Sequence, residues 1–136
     1  MKRAVILLLL VLSAVAFGQD TITVGSKRFT ESYVLGEIAK KVLTDAGFKV
    51  DHKQGMGATA IVWGGLTGGD IDAYPEYTGT LSDEILKTPG ADLSAIRKTL
   101  EPQGIGVTGQ LGFNNTYAIV MKRERAAQLE IGRAHV

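Results

Sequence analysis

The stretch TITVGSKRFTESYVLGEIAKKVLTDAGFKVDH at residues 21–52 determines the fold class of this 136-residue chain. Its first residues alternate polar and β-branched side chains and then reach a glycine, which predicts a short strand that enters a loop. A helix is predicted to begin near Thr30 or Glu31 and to end at Gly47, and residues 48–52 alternate again as a second strand. A strand, a helix and a strand in this order favour an α/β domain with a mostly parallel sheet.

The first predicted helix carries one apolar stripe. Five residues at helical spacing are expected to form its buried face: Val34, Leu35, Ile38, Val42 and Leu43. In the following strand, where exposure is expected to alternate, His52 is predicted to be solvated rather than catalytic. Trp63 lies in an apolar segment beside Ile61 and Val62, which favours core packing over ligand binding.

Strands and helices continue to alternate downstream. Asp92 is predicted to cap a helix that ends before Pro102. The remaining predicted elements are helices at 60–66, 81–86 and 93–100 and strands at 71–74, 105–107 and 117–121. Ligands of parallel α/β sheets lie beyond the carboxyl ends of the strands, so the loop after Val24 and the segment after Ala73 are the predicted binding segments.

The two ends of the chain are predicted not to belong to the folded domain. Residues 1–18 combine a basic start with an apolar run of about 13 residues, which is typical of a secretory signal peptide and too short to span a bilayer core of about 30 Å. Residues 131–136 back-translate into a string that resembles a sequencing adapter, so a non-native tail is hypothesised. The first α/β lobe is assigned to residues 19–113 and a crossing into a second lobe to residues 114–130.

Composition excludes several function classes. Without Lys2 and Arg3 the chain has 13 basic and 14 acidic residues, and this balance gives no electrostatic basis for nucleic-acid binding. Cysteine is absent, which excludes a disulfide framework. The spacing of histidines and acids indicates neither a metal site nor a cofactor, and no nucleophile–base pair is recognised. A monomeric, periplasmic protein is therefore expected.

Three blocks resemble one family. They are GSKRFTE at residues 25–31, DIDAYPEYTGT at residues 70–80 and NNTYA at residues 114–118. In this order they are similar to the glycine betaine, choline and carnitine-type binding proteins of osmoprotectant ABC importers. The resemblance implies a lobe of a type II periplasmic binding protein, with the second lobe largely missing from this chain. It also implies an inner-membrane ABC permease as partner.

The resemblance implies a site for a quaternary ammonium ligand. Such a cation has no N–H to donate, so aromatic faces recognise it, at about 0.5–2 kcal/mol for each ring. By resemblance Tyr77 and Tyr117 occupy positions of an aromatic cage, and Asn115 lies beside the cage. Lys27 and Thr80 are placed by the same resemblance at the carboxylate end of a betaine-like ligand.

Two alternatives remain open from the sequence. A binding protein of the same fold for another small solute, such as an amino acid, fits the same pattern of elements. An exported hydrolase is the alternative from another class, and the missing Ser–His or metal constellation counts against it. The expectation is a binding protein without enzymatic activity.

Overall fold

The computed structural model describes residues 21–115 and 120–130. The predicted signal peptide at 1–18, the predicted cage residue Tyr117 and the predicted tail at 131–136 lie outside these residues. Within the described ranges no helix is both long and apolar enough to cross a membrane.

A parallel pair of strands forms the centre of the lobe. Strand β1 (Ile22–Gly25) lies beside β2 (Val50–Lys53), with Ile22 opposite Val50 and Gly25 opposite Lys53. Helix α1 (Thr30–Asp45) connects them. The predicted order of strand, helix and strand and the parallel sheet are confirmed.

The third predicted strand, at 71–74, is reduced to a single bridge between Val24 and Ala73 on the other side of β1. The bridge is parallel, as predicted, but the predicted strand over residues 71–74 does not form. Asp72 explains the difference, because its carboxylate accepts the backbone N–H of Thr23 at 2.7 Å. That donor is therefore engaged by a side chain and does not extend the ladder.

The second half of the described chain is helical. It contains α2 (Thr59–Gly68), a π-helix (Thr80–Ile85), α3 (Leu93–Leu100), a 3₁₀ turn (Glu101–Gln103) and α4 (Arg123–Gln128). The predicted strand at 105–107 is wrong, since these residues belong to no strand. Of the predicted strand at 117–121, Val120 and Met121 are described and lie in no strand, and the rest lies outside the described residues.

The apolar core joins the π-helix to α3. Leu81, Ile96 and Leu100 form the buried cluster, and Trp63 of α2 packs against it. The predicted packing of Trp63 is therefore confirmed, and the same residue also lines the cleft described below. Asp92 caps α3 as predicted, because its carboxylate accepts the backbone N–H of Ala95 at 2.8 Å.

The predicted buried face of α1 is wrong. Three of its five apolar residues are more than half exposed: Val34, Ile38 and Val42. The residues of α1 that are buried are Ser32 and Gly36. Helix α1 therefore approaches the sheet through small side chains, while Val34, Ile38 and Val42 stay exposed and Leu35 and Leu43 are half-buried.

His52 explains the orientation of α1. Its imidazole is 2% exposed, so the prediction of a solvated side chain is also wrong. The ring lies over Gly36, where an added Cβ would stand 2.7 Å from the imidazole Cε1 and closer still to Nε2. The absence of a side chain at Gly36 is what allows the helix and the ring to meet.

Candidate functional site

The two predicted binding segments line one open cleft of approximately 1760 Å³. One segment follows β1, and the other follows the bridge at Ala73. Four predicted site residues lie on the wall of this cleft: Lys27, Tyr77, Thr80 and Asn115. Tyr117, the fifth, lies outside the described residues.

Gly25 lets these two segments approach each other. Its backbone N–H donates to the carbonyl of Ala73 at 2.7 Å. A Cβ at Gly25 would lie 2.5 Å from Ile71 Cδ1 and 3.0 Å from Met56 Sδ. A residue with a side chain at this position would therefore have to displace the side chains of Ile71 and Met56.

An aromatic corner forms around Tyr77. The ring of Phe113 meets it edge to face, with centroids 6.4 Å apart and an interplanar angle of 85°. Asn115 donates from its side-chain amide to the Tyr77 hydroxyl at 3.0 Å. The structure thus brings together two predicted site residues that lie 38 positions apart and adds an aromatic residue that the sequence analysis did not select.

Lys27 is paired with Glu76 across the same cleft. The ammonium nitrogen of Lys27 lies 2.5 Å from Glu76 Oε1, and the two side chains are 7% and 5% exposed. The same oxygen accepts the backbone N–H of Tyr77 at 2.9 Å. A residue expected to meet a ligand carboxylate therefore already has a carboxylate of the protein as its partner.

Tyr74 lies behind this ion pair. Its hydroxyl and the second oxygen of Glu76 are both buried, and neither has a hydrogen-bond partner among the described residues. Burial raises the pKa of the Tyr74 phenol well above its usual value, and the negative charge of Glu76 raises it further. The phenol is therefore held in its neutral form around neutral pH.

Thr80 begins the π-helix at the floor of the cleft. The chain enters this helix from Tyr77, whose carbonyl accepts the N–H of Leu81 at 2.9 Å. Wider turns follow, since the N–H of Leu86 reaches the carbonyl of Leu81 at 2.9 Å. Tyr77 and Thr80 therefore both lie at the start of the same helical segment.

A Ser–His–Glu cluster lies on the other side of β1. Nε2 of His52 is 2.8 Å from the Ser26 hydroxyl, and Nδ1 is 2.7 Å from Glu37 Oε1. The hydrogen bond from His52 lowers the pKa of Glu37 below its usual value. The sequence analysis did not recognise that Ser26 and His52 lie within hydrogen-bond distance of each other.

The burial of Ser26 makes this cluster inaccessible to a substrate. Ser26 is 0% exposed, and its hydroxyl also accepts the N–H of Gly55 at 3.4 Å. A nucleophile must reach the atom that it attacks, and no substrate reaches Ser26 in this arrangement. The cluster cross-links β1, β2 and α1. In the described part of the chain, no group of three or more histidine and acidic side chains is placed to hold a metal ion.

The sequence analysis did not predict the roles of Glu76, His52 and Phe113. The reason is the same for all three, because the partner of each is distant in the chain. Glu76 stands 49 residues from Lys27, and His52 stands 26 residues from Ser26. The signal for Glu76 was its position directly after Pro75 in the second block. The signal for Phe113 was an aromatic residue two positions before Asn115.

Comparison with known proteins places this geometry in a family. The family model for the substrate binding domain of ABC-type glycine betaine transport systems (OpuAC) matches residues 20–134. The chain is 34% identical to the ergothioneine transport permease/ergothioneine binding protein EgtU of Helicobacter pylori, over 94% of this chain and 25% of that protein. It is 30% identical to the carnitine transport binding protein OpuCC of Listeria monocytogenes, over 83% of this chain and 39% of that protein.

Two further comparisons agree. The chain is 32% identical to a glycine-betaine-binding protein of Pseudomonas aeruginosa, over 82% of this chain and 37% of that protein. The solved structure of apo YehZ from Escherichia coli aligns with a TM-score of 0.54 at 30% identity, over 61% of this chain and 32% of that chain. The chain thus spans between a quarter and two fifths of the length of these relatives. The resemblance found in the three sequence blocks is confirmed, and the chain belongs to the family of substrate binding domains of ABC-type glycine betaine transport systems.

Proposed function

We propose that this chain supplies one wall of a binding site for a small quaternary ammonium solute, which the protein delivers to an ABC importer. The observation that carries the proposal is the aromatic corner of Tyr77 and Phe113 on the cleft wall. The relatives named for glycine betaine and carnitine support the ligand class.

The corner has the chemistry that such a cation needs. The face of an aromatic ring attracts a cation through its quadrupole, and the methyl groups of a quaternary ammonium match its apolar surface. Phe113 and Asn115 contact Tyr77 at its ring and at its hydroxyl, so the ring is held in one orientation. Tyr117 is proposed as a second ring of the same cage.

The carboxylate end of a betaine-like ligand is assigned to Lys27 and Thr80. An ammonium has three N–H donors, of which Glu76 occupies one. Thr80 adds a hydroxyl on the same cleft wall. Under this assignment Tyr77 and Asn115 address the cationic end, and Lys27 and Thr80 address the anionic end.

The assembly and location follow from the same proposal. Export by the signal peptide at 1–18 places a monomeric protein in the periplasm, where it meets an inner-membrane permease. The relatives are transport binding proteins, which supports a role without catalysis. Neither a cofactor nor a metal takes part.

Titration calorimetry tests this function on the complete gene product that carries these residues. Choline, glycine betaine, carnitine and ergothioneine are compared with 3,3-dimethyl-1-butanol, which has the shape of choline without its charge. We expect at least one quaternary ammonium to bind and the neutral analogue to bind at least about tenfold more weakly, because the cation–ring attraction requires charge.

Tyr77 variants provide the matched control. Tyr77→Leu removes the ring and is expected to weaken binding by roughly 2- to 30-fold. Tyr77→Phe keeps the ring and loses only the hydrogen bond from Asn115, so its loss is expected to be smaller. If an amino acid without a quaternary nitrogen binds and the ammonium compounds do not, the other small-solute binding protein is the correct assignment.

A hydrolase is the second candidate function, because Ser26, His52 and Glu37 are arranged like a nucleophile, base and acid. The complete burial of Ser26 opposes it. A fluorophosphonate probe together with a p-nitrophenyl acetate assay decides the question. We expect no labelled serine at position 26 and no ester hydrolysis that Ser26→Ala abolishes; labelling at that position would establish the hydrolase instead.

A further inference from the structure

Glu76 lies where two parts of the lobe are joined. Its Oε1 receives the ammonium of Lys27, from the loop after β1, and the backbone N–H of Tyr77, from its own segment. The Lys27 and Glu76 side chains are 7% and 5% exposed. Water therefore screens this pair far less than a surface pair such as Lys41–Asp45, whose side chains are 75% and 63% exposed.

Lys27 is itself held in place. Its backbone N–H donates to the Ser32 hydroxyl of α1 at 2.9 Å. The next residue, Arg28, donates its N–H to the carbonyl of Gly57 at 2.9 Å. The ammonium therefore extends from a loop that is anchored to α1 on one side and to the loop after β2 on the other.

The segment that carries Tyr77 has few other attachments to β1. The last backbone hydrogen bond to β1 in the described residues is the one that Ala73 accepts from Gly25. Pro75 has no N–H to donate. After Ala73, the next described polar contact of this segment on the β1 side is the one between Glu76 and Lys27 of the loop after β1.

We infer that Glu76, held by Lys27, is a positioning residue for Tyr77. One carboxylate oxygen fixes the backbone N–H of Tyr77 against the anchored loop after β1, and the ring then projects into the cleft toward Phe113 and Asn115. A charge-assisted hydrogen bond is shorter and stronger than a neutral one, which suits this oxygen to hold the backbone. The inference rests on the proposed function of Tyr77 as a cage residue.

The positioning role and a direct ligand role predict different ligand dependence. If Lys27 served only the ligand carboxylate, removing the pair would weaken glycine betaine and leave choline unaffected, since choline has no carboxylate. If the pair also positions Tyr77, choline loses affinity as well, because both ligands place their ammonium against the ring, and glycine betaine loses at least as much as choline.

The test variant is Lys27→Met/Glu76→Leu, made in the complete gene product. It removes both buried charges and keeps apolar volume, a replacement that often leaves stability unchanged or raised. Two quantities are measured: the affinity for choline and glycine betaine, and the hydrogen exchange rate of the assigned Tyr77 amide by NMR. We expect the affinity for choline to fall about tenfold, the affinity for glycine betaine to fall by at least as much, and the Tyr77 amide to exchange at least about tenfold faster. Lys41→Ala/Asp45→Ala, which removes an exposed ion pair, is expected to change neither.

Each outcome decides the inference. A folded double variant that binds choline like the wild type, or that loses glycine betaine alone, overturns it. If the wild type binds none of the quaternary ammonium compounds, the proposed function fails, but Tyr77 exchange in the double variant still decides the positioning role: unchanged exchange overturns it and faster exchange supports it. If the double variant does not fold, Glu76→Gln replaces it, with faster Tyr77 exchange expected and wild-type exchange counting against the inference.

Discussion

The Gly36→Ala substitution tests the contact that orients α1. The new methyl group would stand 2.7 Å from the Cε1 atom of His52, inside the van der Waals limit. The imidazole is 2% exposed and is held by Ser26 at Nε2 and by Glu37 at Nδ1. It must therefore move away from the Ser26 hydroxyl, which lies 2.8 Å from Nε2.

The expected cost follows from three contributions. Leaving the buried Ser26 and His52 groups without each other costs about 1–3 kcal/mol. If the helix shifts instead of the ring, overpacking at the buried contact costs roughly 1–3 kcal/mol in place of the lost hydrogen bond. Alanine in place of glycine returns about 1 kcal/mol of helix propensity. The net prediction is a free energy of unfolding lowered by about 1 kcal/mol.

Urea unfolding followed by fluorescence measures this value, because Trp63 is the one tryptophan of the chain and packs against the core. The urea midpoint is expected to fall by about 0.5 M. Gly64→Ala is the matched control: it lies inside α2, and no described atom lies within 4 Å of its added Cβ. It is expected to stabilise the protein by up to about 1 kcal/mol. A Gly36→Ala protein as stable as the wild type would refute the contact, as would an equal penalty when His52→Ala is already present.

Asp92→Ala removes the cap of α3 and is expected to lower the free energy of unfolding by about 1 kcal/mol, because the N–H of Ala95 loses its partner. Urea unfolding measures this change, with Asp92→Asn as the control. Leu100→Ala truncates a fully buried side chain and is expected to lower the free energy of unfolding by about 2–5 kcal/mol. An unchanged urea midpoint would show that the buried cluster is not packed as described. The lowered pKa of Glu37 means that its stabilising contribution is present above its ordinary value near 4.5 and is lost as pH falls through the lowered value. Glu37→Gln is therefore expected to make the loss of stability below about pH 4.5 shallower, and an acid titration of the unfolding midpoint that matches the wild type would contradict this.

The sequence by itself determined the local elements and the family. Alternation around Ile22–Gly25, the helical spacing of α1 and the turn at Gly47 predict a strand, a helix and a strand because neighbouring residues carry those signals. Asp92 was identifiable as a cap because a cap and its target are three residues apart. The three sequence blocks identified the binding segments because each block is continuous in the chain.

Only the tertiary structure decided which face of α1 is buried and what Lys27 contacts. An apolar stripe predicts a buried face only if the neighbouring element is apolar, and here the neighbour is the imidazole of His52, which requires the small Gly36. The charge of Lys27 is met by Glu76, 49 residues away, and not by solvent. Pairings of this kind depend on where two distant segments come to lie in the fold, because the energy of a buried contact arises from proximity in space and leaves no periodic trace in the sequence.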